Sequence, residues 1–233
     1  MRRVLIAGPG RSGTSALVRL IGELGFDTSA DGGTWNAAAR AGFESQYDPE
    51  TSPTVVKNPQ LTWQLPELLE SGAISADEIR VVLIPFRDLQ FAAASRWENT
   101  RRAKHLGASG GLIRTRRPTR QADVLAQDLW GLLIALEEHD VPYRLVHYPR
   151  FMTDKTYVIE ALGAAFPELD SQDFEAAWEQ VRDPSLVRSD IASHPTLLSD
   201  AQVVQWTIAR PLTTRMVRRI KRTLSALIKR VSR

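Results

Sequence analysis

The sequence contains no cysteine. That absence excludes a disulfide framework, a thiolate metal site and a cysteine nucleophile, and it permits a reducing cytoplasm. Long hydrophobic runs are missing too: no stretch approaches the roughly 18 apolar residues of a membrane span. Met1-Arg2-Arg3 ahead of Val4-Leu5-Ile6-Ala7 imitates the start of a signal peptide, but the apolar run stops at Gly8. It is too short for the hydrophobic region of a leader. A soluble or peripheral protein with a cytoplasmic location is expected. No cluster of acids and histidines stands out as a metal site, and none is expected. What is present is ordinary for a globular chain: 233 residues, 43% hydrophobic and 24% charged, enough for one α/β domain with a sizeable core.

Acidic residues are absent from two stretches. From Arg210 onward there are nine basic residues and no acid, although the whole chain carries 30 basic and 27 acidic residues. The body is therefore acidic and the tail strongly basic. In that tail Leu212, Met216, Ile220, Leu224, Leu227, Ile228 and Val231 recur at three- and four-residue steps, and Arg215, Arg218, Arg219, Arg222, Lys229 and Arg230 lie largely off the stripe. This predicts a cationic amphipathic helix over 210–233, distinct from a domain over 1–209. Such a helix suits an anionic membrane surface at the inner face of the membrane; packing on the acidic body is the other reading. The second stretch, Arg101 to Arg120, holds seven basic residues around Gly107-Ala108-Ser109-Gly110-Gly111. It reads as a solvated basic loop or as a lid over an anionic ligand.

Along the rest of the chain the apolar pattern alternates between strand-like and helix-like runs. Val4–Ala7, Thr54–Lys57, Arg80–Phe86 and Tyr143–Tyr148 read as strands, with Arg80–Phe86 apolar enough for a central parallel strand. Helices are predicted from Leu17 to Leu24, from Leu61 to Gly72, from Phe91 to Trp97, from Thr119 to His139, from Met152 onward, from Asp170 to Val181 and from Ser199 to Ala209. Asp27 to Pro53 lacks sustained periodicity and reads as a long loop with a short helix near Ala37 to Ala41. The order of elements predicts a parallel sheet with helices on both faces.

The richest stretch is Gly8-Pro9-Gly10-Arg11-Ser12-Gly13-Thr14-Ser15 between the first strand and the first helix. Glycines let backbone N–H groups turn inward, and a helix N-terminus offers free donors and partial positive charge, so the turn is an anion cradle. Two patterns overlap in it. Gly8-x-Gly10-x-x-Gly13 fits a dinucleotide fingerprint with Asp31 at the acidic position, but Gly25 to Ala30 does not read as the buried second strand that this fold needs. Gly8-x-x-x-x-Gly13-Thr14-Ser15 fits a P-loop frame with Thr14 in the place of the lysine and a basic group displaced to Arg11.

Arg11-Ser12-Gly13-Thr14-Ser15 resembles the 5′-phosphosulfate loop of sulfotransferases that use 3′-phosphoadenosine 5′-phosphosulfate (PAPS), in particular bacterial sulfotransferase-like proteins. The resemblance extends from Val4 to about Leu162. Asn36…Gly42-Phe43-Glu44 and Tyr148…Thr153-Asp154 are loosely similar to segments of that family. It implies a three-layer P-loop-type fold, PAPS as cosubstrate, no metal, no nucleic acid, and a hydroxyl or amine acceptor, with glycan, lipid headgroup and small metabolite all open. It also implies roles. Gly10, Arg11, Ser12, Gly13, Thr14 and Ser15 would hold the 5′-phosphosulfate, with Arg11 over the bridging oxygen as charge grows there. Arg87, at a strand end, and Ser95, eight residues on, would bind the 3′-phosphate, since a guanidinium can give one phosphate two hydrogen bonds. Lys57 matches a strand-end lysine near the transferred group. Where the eukaryotic cytosolic pattern has a catalytic histidine two residues later, this chain has Pro59. The base is therefore assigned to Glu44, with His105 as the runner-up. A P-loop kinase, with Asp88 holding Mg²⁺, is one alternative; a non-catalytic membrane or protein adaptor is another.

Overall fold

The computed structural model describes residues 2–28, 47–48, 50–103, 110–163, 165–169 and 171–182. These all fall in the first of two units into which the chain divides, Met1–Pro195. The loop positions Glu44 and Asp31, His105, the helix expected over Ser199–Ala209 and the tail from 210 lie outside the described residues.

Four strands, β1 (Arg3–Ile6), β2 (Val55–Lys57), β3 (Ile79–Phe86) and β4 (Tyr143–His147), form one sheet in the order β2-β1-β3-β4. All neighbours run parallel. Seven α-helices accompany them among the described residues: α1 (Thr14–Glu23), α2 (Leu61–Ser71), α3 (Leu89–Ala103), α4 (Gln121–Glu138), α5 (Arg150–Thr153), α6 (Lys155–Gly163) and α7 (Ser171–Val181). None of the described helices is long and apolar enough to cross a membrane.

Strands β1, β2 and β3 are buried on both faces, as their apolar runs require, whereas the edge strand β4 buries Val146 and leaves Leu145 44% exposed. Val4, Ile6, Val55, Leu83 and Val146 pack against Leu17, Val18 and Ile21 of α1 and against Val158, Leu162, Phe174 and Trp178 of α6 and α7. Leu5, Ala7, Val56, Val82 and Ile84 face Leu61, Leu65 and Leu69 of α2 and Leu132, Ala135 and Leu136 of α4. Alternating residues of one strand thus feed two cores, which gives three layers. Pro85 would be out of place in a central ladder, but β1 pairs with β3 only as far as Ile6 and Leu83. Pro85 lies beyond that pairing, where its missing N–H is not required by β1.

The chain goes from β1 to β2 on one side and then returns across β1 to β3 on the other. The reversal makes the C-terminal end of β1 the crevice in which ligands settle in open α/β sheets. The loop over residues 8–13 occupies that end. After α1, the segment reaching Thr28 makes a single parallel bridge to Val55. It thus touches the outer edge of β2, whereas a dinucleotide fold would place a full strand there beside β1.

Candidate functional site

The loop between β1 and α1 is built from strained backbone. Gly10 has φ 63°, Arg11 φ 59° and Gly13 φ 82°. Left-handed backbone suits glycine; for an arginine it costs about 1–3 kcal/mol and persists only where its surroundings hold it. Gly13 is needed for a second reason, because a Cβ there would lie 2.6 Å from the Tyr148 ring and 2.7 Å from the Phe151 ring. Ser12 and Thr14 are buried, and the first turn of α1 contains no acid and no side-chain cap. Its leading N–H groups and the positive end of its dipole therefore remain directed at the loop. Thr62 of α2 fastens the other end: its hydroxyl accepts from the Gly8 N–H at 2.8 Å.

The residues singled out in three separate motifs come to this edge of the sheet. Arg11 Nε donates to Ser95 Oγ at 3.0 Å, joining positions 84 residues apart. Arg87 leaves the end of β3 and lies over two rings, 5.3 Å from the centre of Phe91 and 5.1 Å from that of Tyr148. Burial lowers its pKa from the usual arginine value, while Tyr148 and Asp88 pull the other way. Tyr148 thus touches Gly13 on one side and Arg87 on the other. Lys57 ends β2 in register with Ile6 of β1 and is 1% exposed. Basic side chains thus stand at the ends of β2 and β3 and in the loop itself. Glu44 and His105 lie outside the described residues.

Two assignments take a different form from the one the sequence suggests. Asp88, proposed as an acid for Mg²⁺, accepts through Oδ1 from the N–H groups of Gln90 at 2.7 Å and Phe91 at 3.1 Å. It caps α3. In the basic stretch, Gly110 to Arg114 is tied down. Leu112 N–H donates to Thr100 at 2.7 Å, Ile113 N–H donates to the buried Gln121 at 2.7 Å, and Arg114 pairs with Asp128 of α4. Burial raises the carboxyl pKa of Asp128, while Arg114 and Arg96 act to lower it.

No protein-family model matches the chain, and no curated protein is significantly similar to it. The residues that sequence reasoning missed are Thr62, Arg96 and Asn99, and Tyr148 figures there only as part of a late strand segment, without its contacts to Gly13 and Arg87. Arg96 is 4% exposed; it donates to Pro9 O through Nη2 at 2.8 Å and to Gly111 O through Nη1 at 2.7 Å. Its signal was faint: Ser95, Arg96, Asn99 and Thr100 form one polar helical face, which by pattern alone reads as solvent-facing.

Proposed function

We propose that the chain is a sulfotransferase that uses PAPS as donor and a hydroxyl or amine as acceptor. The observation that carries this reading is the Arg11–Ser95 hydrogen bond. It joins the loop that would hold a 5′-phosphosulfate to the helix that would hold a 3′-phosphate, on a parallel α/β sheet. Arg87, oriented by two rings beside Gly13 through Tyr148, supplies the planar fork that a dianionic phosphate favours.

In the reaction the acceptor oxygen attacks sulfur, the bond from sulfur to the bridging oxygen breaks, and adenosine 3′,5′-bisphosphate leaves. The acceptor proton passes to a base, assigned to Glu44 with His105 as the alternative. Arg11 stabilises charge on the leaving oxygen, together with the N–H groups at the start of α1 and the nearby Lys57. Capping of α3 by Asp88 supports sulfuryl over phosphoryl transfer, because one oxygen of the carboxylate that a kinase would want for Mg²⁺ is already engaged.

The test is a titration with adenosine 3′,5′-bisphosphate against ATP with Mg²⁺, followed by an acceptor screen with radiolabelled PAPS. Preference for the bisphosphate and transfer of label support the reading; preference for ATP with Mg²⁺ overturns it. Loss of transfer in Glu44→Gln with nucleotide affinity retained would assign the base. Activity in Glu44→Gln together with loss in His105→Ala would move it to His105. Sedimentation of the chain with anionic vesicles, reversed by salt, would support a lipid-linked acceptor and membrane docking through 210–233.

A further inference from the structure

The buried polar face of α3 is the most heavily connected surface near the loop, and the reaction as written uses only Ser95 from it. Arg96 Nε and Nη2 both reach Pro9 O, at 3.3 and 2.8 Å, and Nη1 reaches Gly111 O at 2.7 Å. One guanidinium therefore ties together a carbonyl 87 residues away in the chain and another 15 residues away. One turn on, Asn99 Nδ2 donates to Gly110 O at 3.3 Å. Thr100 Oγ1 accepts from Leu112 N–H at 2.7 Å and lies 3.1 Å from Arg96 O.

These bonds bring Gly110 onto the side chain of Arg11. A Cβ on Gly110 would sit 3.3 Å from Arg11 Nη1 and 3.5 Å from its Cδ, and Gly110 has φ 70°. Ser95 and Gly110 thus both lie against the Arg11 side chain. Its own left-handed backbone is braced because Arg96 grips Pro9, and a Cβ on Gly10 would collide with Arg96 Nη2. A flexible four-bond side chain is held by neighbours that are all anchored to one helix.

We propose that Arg96, acting with Asn99 and Gly110, is a positioning residue that sets the reach of the Arg11 guanidinium toward the transferred group. It touches neither donor nor acceptor. The proposal rests on the sulfotransferase reading for its chemistry, but its geometric content is separate. A misplacement of about 1 Å far from the reacting atoms can cost on the order of 100-fold in rate. The loss belongs in the transition state, where the charge that Arg11 meets has developed.

Two variants perturb the surroundings of Arg11. Arg96→Lys keeps the charge but cannot fork across two carbonyls; Gly110→Ala places a carbon 2.9 Å from Asn99 Nδ2 and 3.3 Å from Arg11 Nη1, at a residue with φ 70°, and leaves Arg96 itself unchanged. Each should lower kcat with PAPS about tenfold or more while changing Kd for adenosine 3′,5′-bisphosphate less than about threefold. In an Arg11→Ala background each should lower kcat by less than about twofold, because the residue they position is gone. Unchanged kcat in both variants, or losses that multiply in full with Arg11→Ala, would overturn the proposal. Melting temperatures of all variants separate a positioning effect from simple unfolding. A wild type that transfers nothing from PAPS would count against the function reading alone. The clamp would then be read from the NMR signal of the Arg11 Nε–H, assigned by its loss in Arg11→Ala: a shift in Arg96→Lys and in Gly110→Ala at unchanged melting temperature sustains the clamp, and an unmoved signal in both overturns it.

Discussion

Two helices begin just beyond the C-terminal ends of neighbouring strands, α1 after β1 and α3 after β3, and their first turns are treated in opposite ways. The start of α1 has no acid and no side-chain cap. The start of α3 is closed by its own aspartate, Asp88, which takes the N–H groups of Gln90 and Phe91. A helix N-terminus with open donors binds anions, and one plugged by a carboxylate does not. The difference assigns the labour at this edge: α1 offers backbone and dipole, whereas α3 contributes through the side chains of Ser95 and Arg96 further along its length.

The comparison can be broken from the strong end first. At the open end, Arg11→Ala should cut turnover with PAPS by roughly two orders of magnitude or more, the scale of losing one charge-stabilising donor; near-normal turnover would remove Arg11 from the chemistry. Arg87→Ala should weaken adenosine 3′,5′-bisphosphate by about tenfold to a hundredfold, as expected for a charge-assisted hydrogen bond. Adenosine 5′-phosphate, which lacks the 3′ group, should be almost unaffected, and equal losses for both nucleotides would make Arg87 structural.

Placing an acid at the open end tests the asymmetry itself. Ser15→Asp should hold or raise the melting temperature, since an acid in the first turn stabilises a helix by about 0.3–1 kcal/mol. It should also lower bisphosphate affinity roughly tenfold or more through like-charge repulsion. Retained affinity would mean that the anion lies elsewhere. Removing the acid at the closed end should do the reverse. Asp88→Ala should cost about 0.5–2 kcal/mol of stability by denaturant unfolding, with bisphosphate affinity held or raised, because an acid beside Arg87 is removed.

The smallest effect concerns the carboxylate held beneath Gly110–Arg114. Burial raises the pKa of Asp128 above the ordinary aspartate value. Between that value and the raised one the folded chain binds the additional proton, so the contribution of Asp128 to stability is present at low pH and is lost as pH rises. Asp128→Asn should therefore gain stability relative to wild type as pH climbs from about 4 toward neutrality. A difference in melting temperature that stays flat across this range would show that the Arg114 pair compensates the burial.

Most elements were legible because their information is local. The helix expected from Thr119 to His139 is found at Gln121–Glu138 after a short 3₁₀ turn, Pro118–Arg120. The strand read at Arg80–Phe86 is Ile79–Phe86. The segment expected at Phe91–Trp97 is longer, Leu89–Ala103, because its second half is polar and hides its helical period. Asn99 and Thr100 are buried by hydrogen bonds to Gly110 and Leu112, partners 11 and 12 residues distant. Periodicity cannot distinguish such a face from one bathed in water.

The sequence by itself determined the strand, turn and helix around Gly8–Ser15, the positive φ that its glycines permit, and the succession of apolar runs that makes a parallel α/β sheet. Those features depend on sterics and hydrophobic period over a few residues. That β1 lies between β2 and β3 was settled by packing. Packing also placed Arg11 against Ser95 and buried Arg96 behind the loop. The Asp88 cap joins residues two and three positions apart and is local, whereas both of these depend on which donor meets which acceptor across more than 80 residues of chain. Contacts of that range follow from how the layers pack, and the identity of a residue alone does not encode its partner.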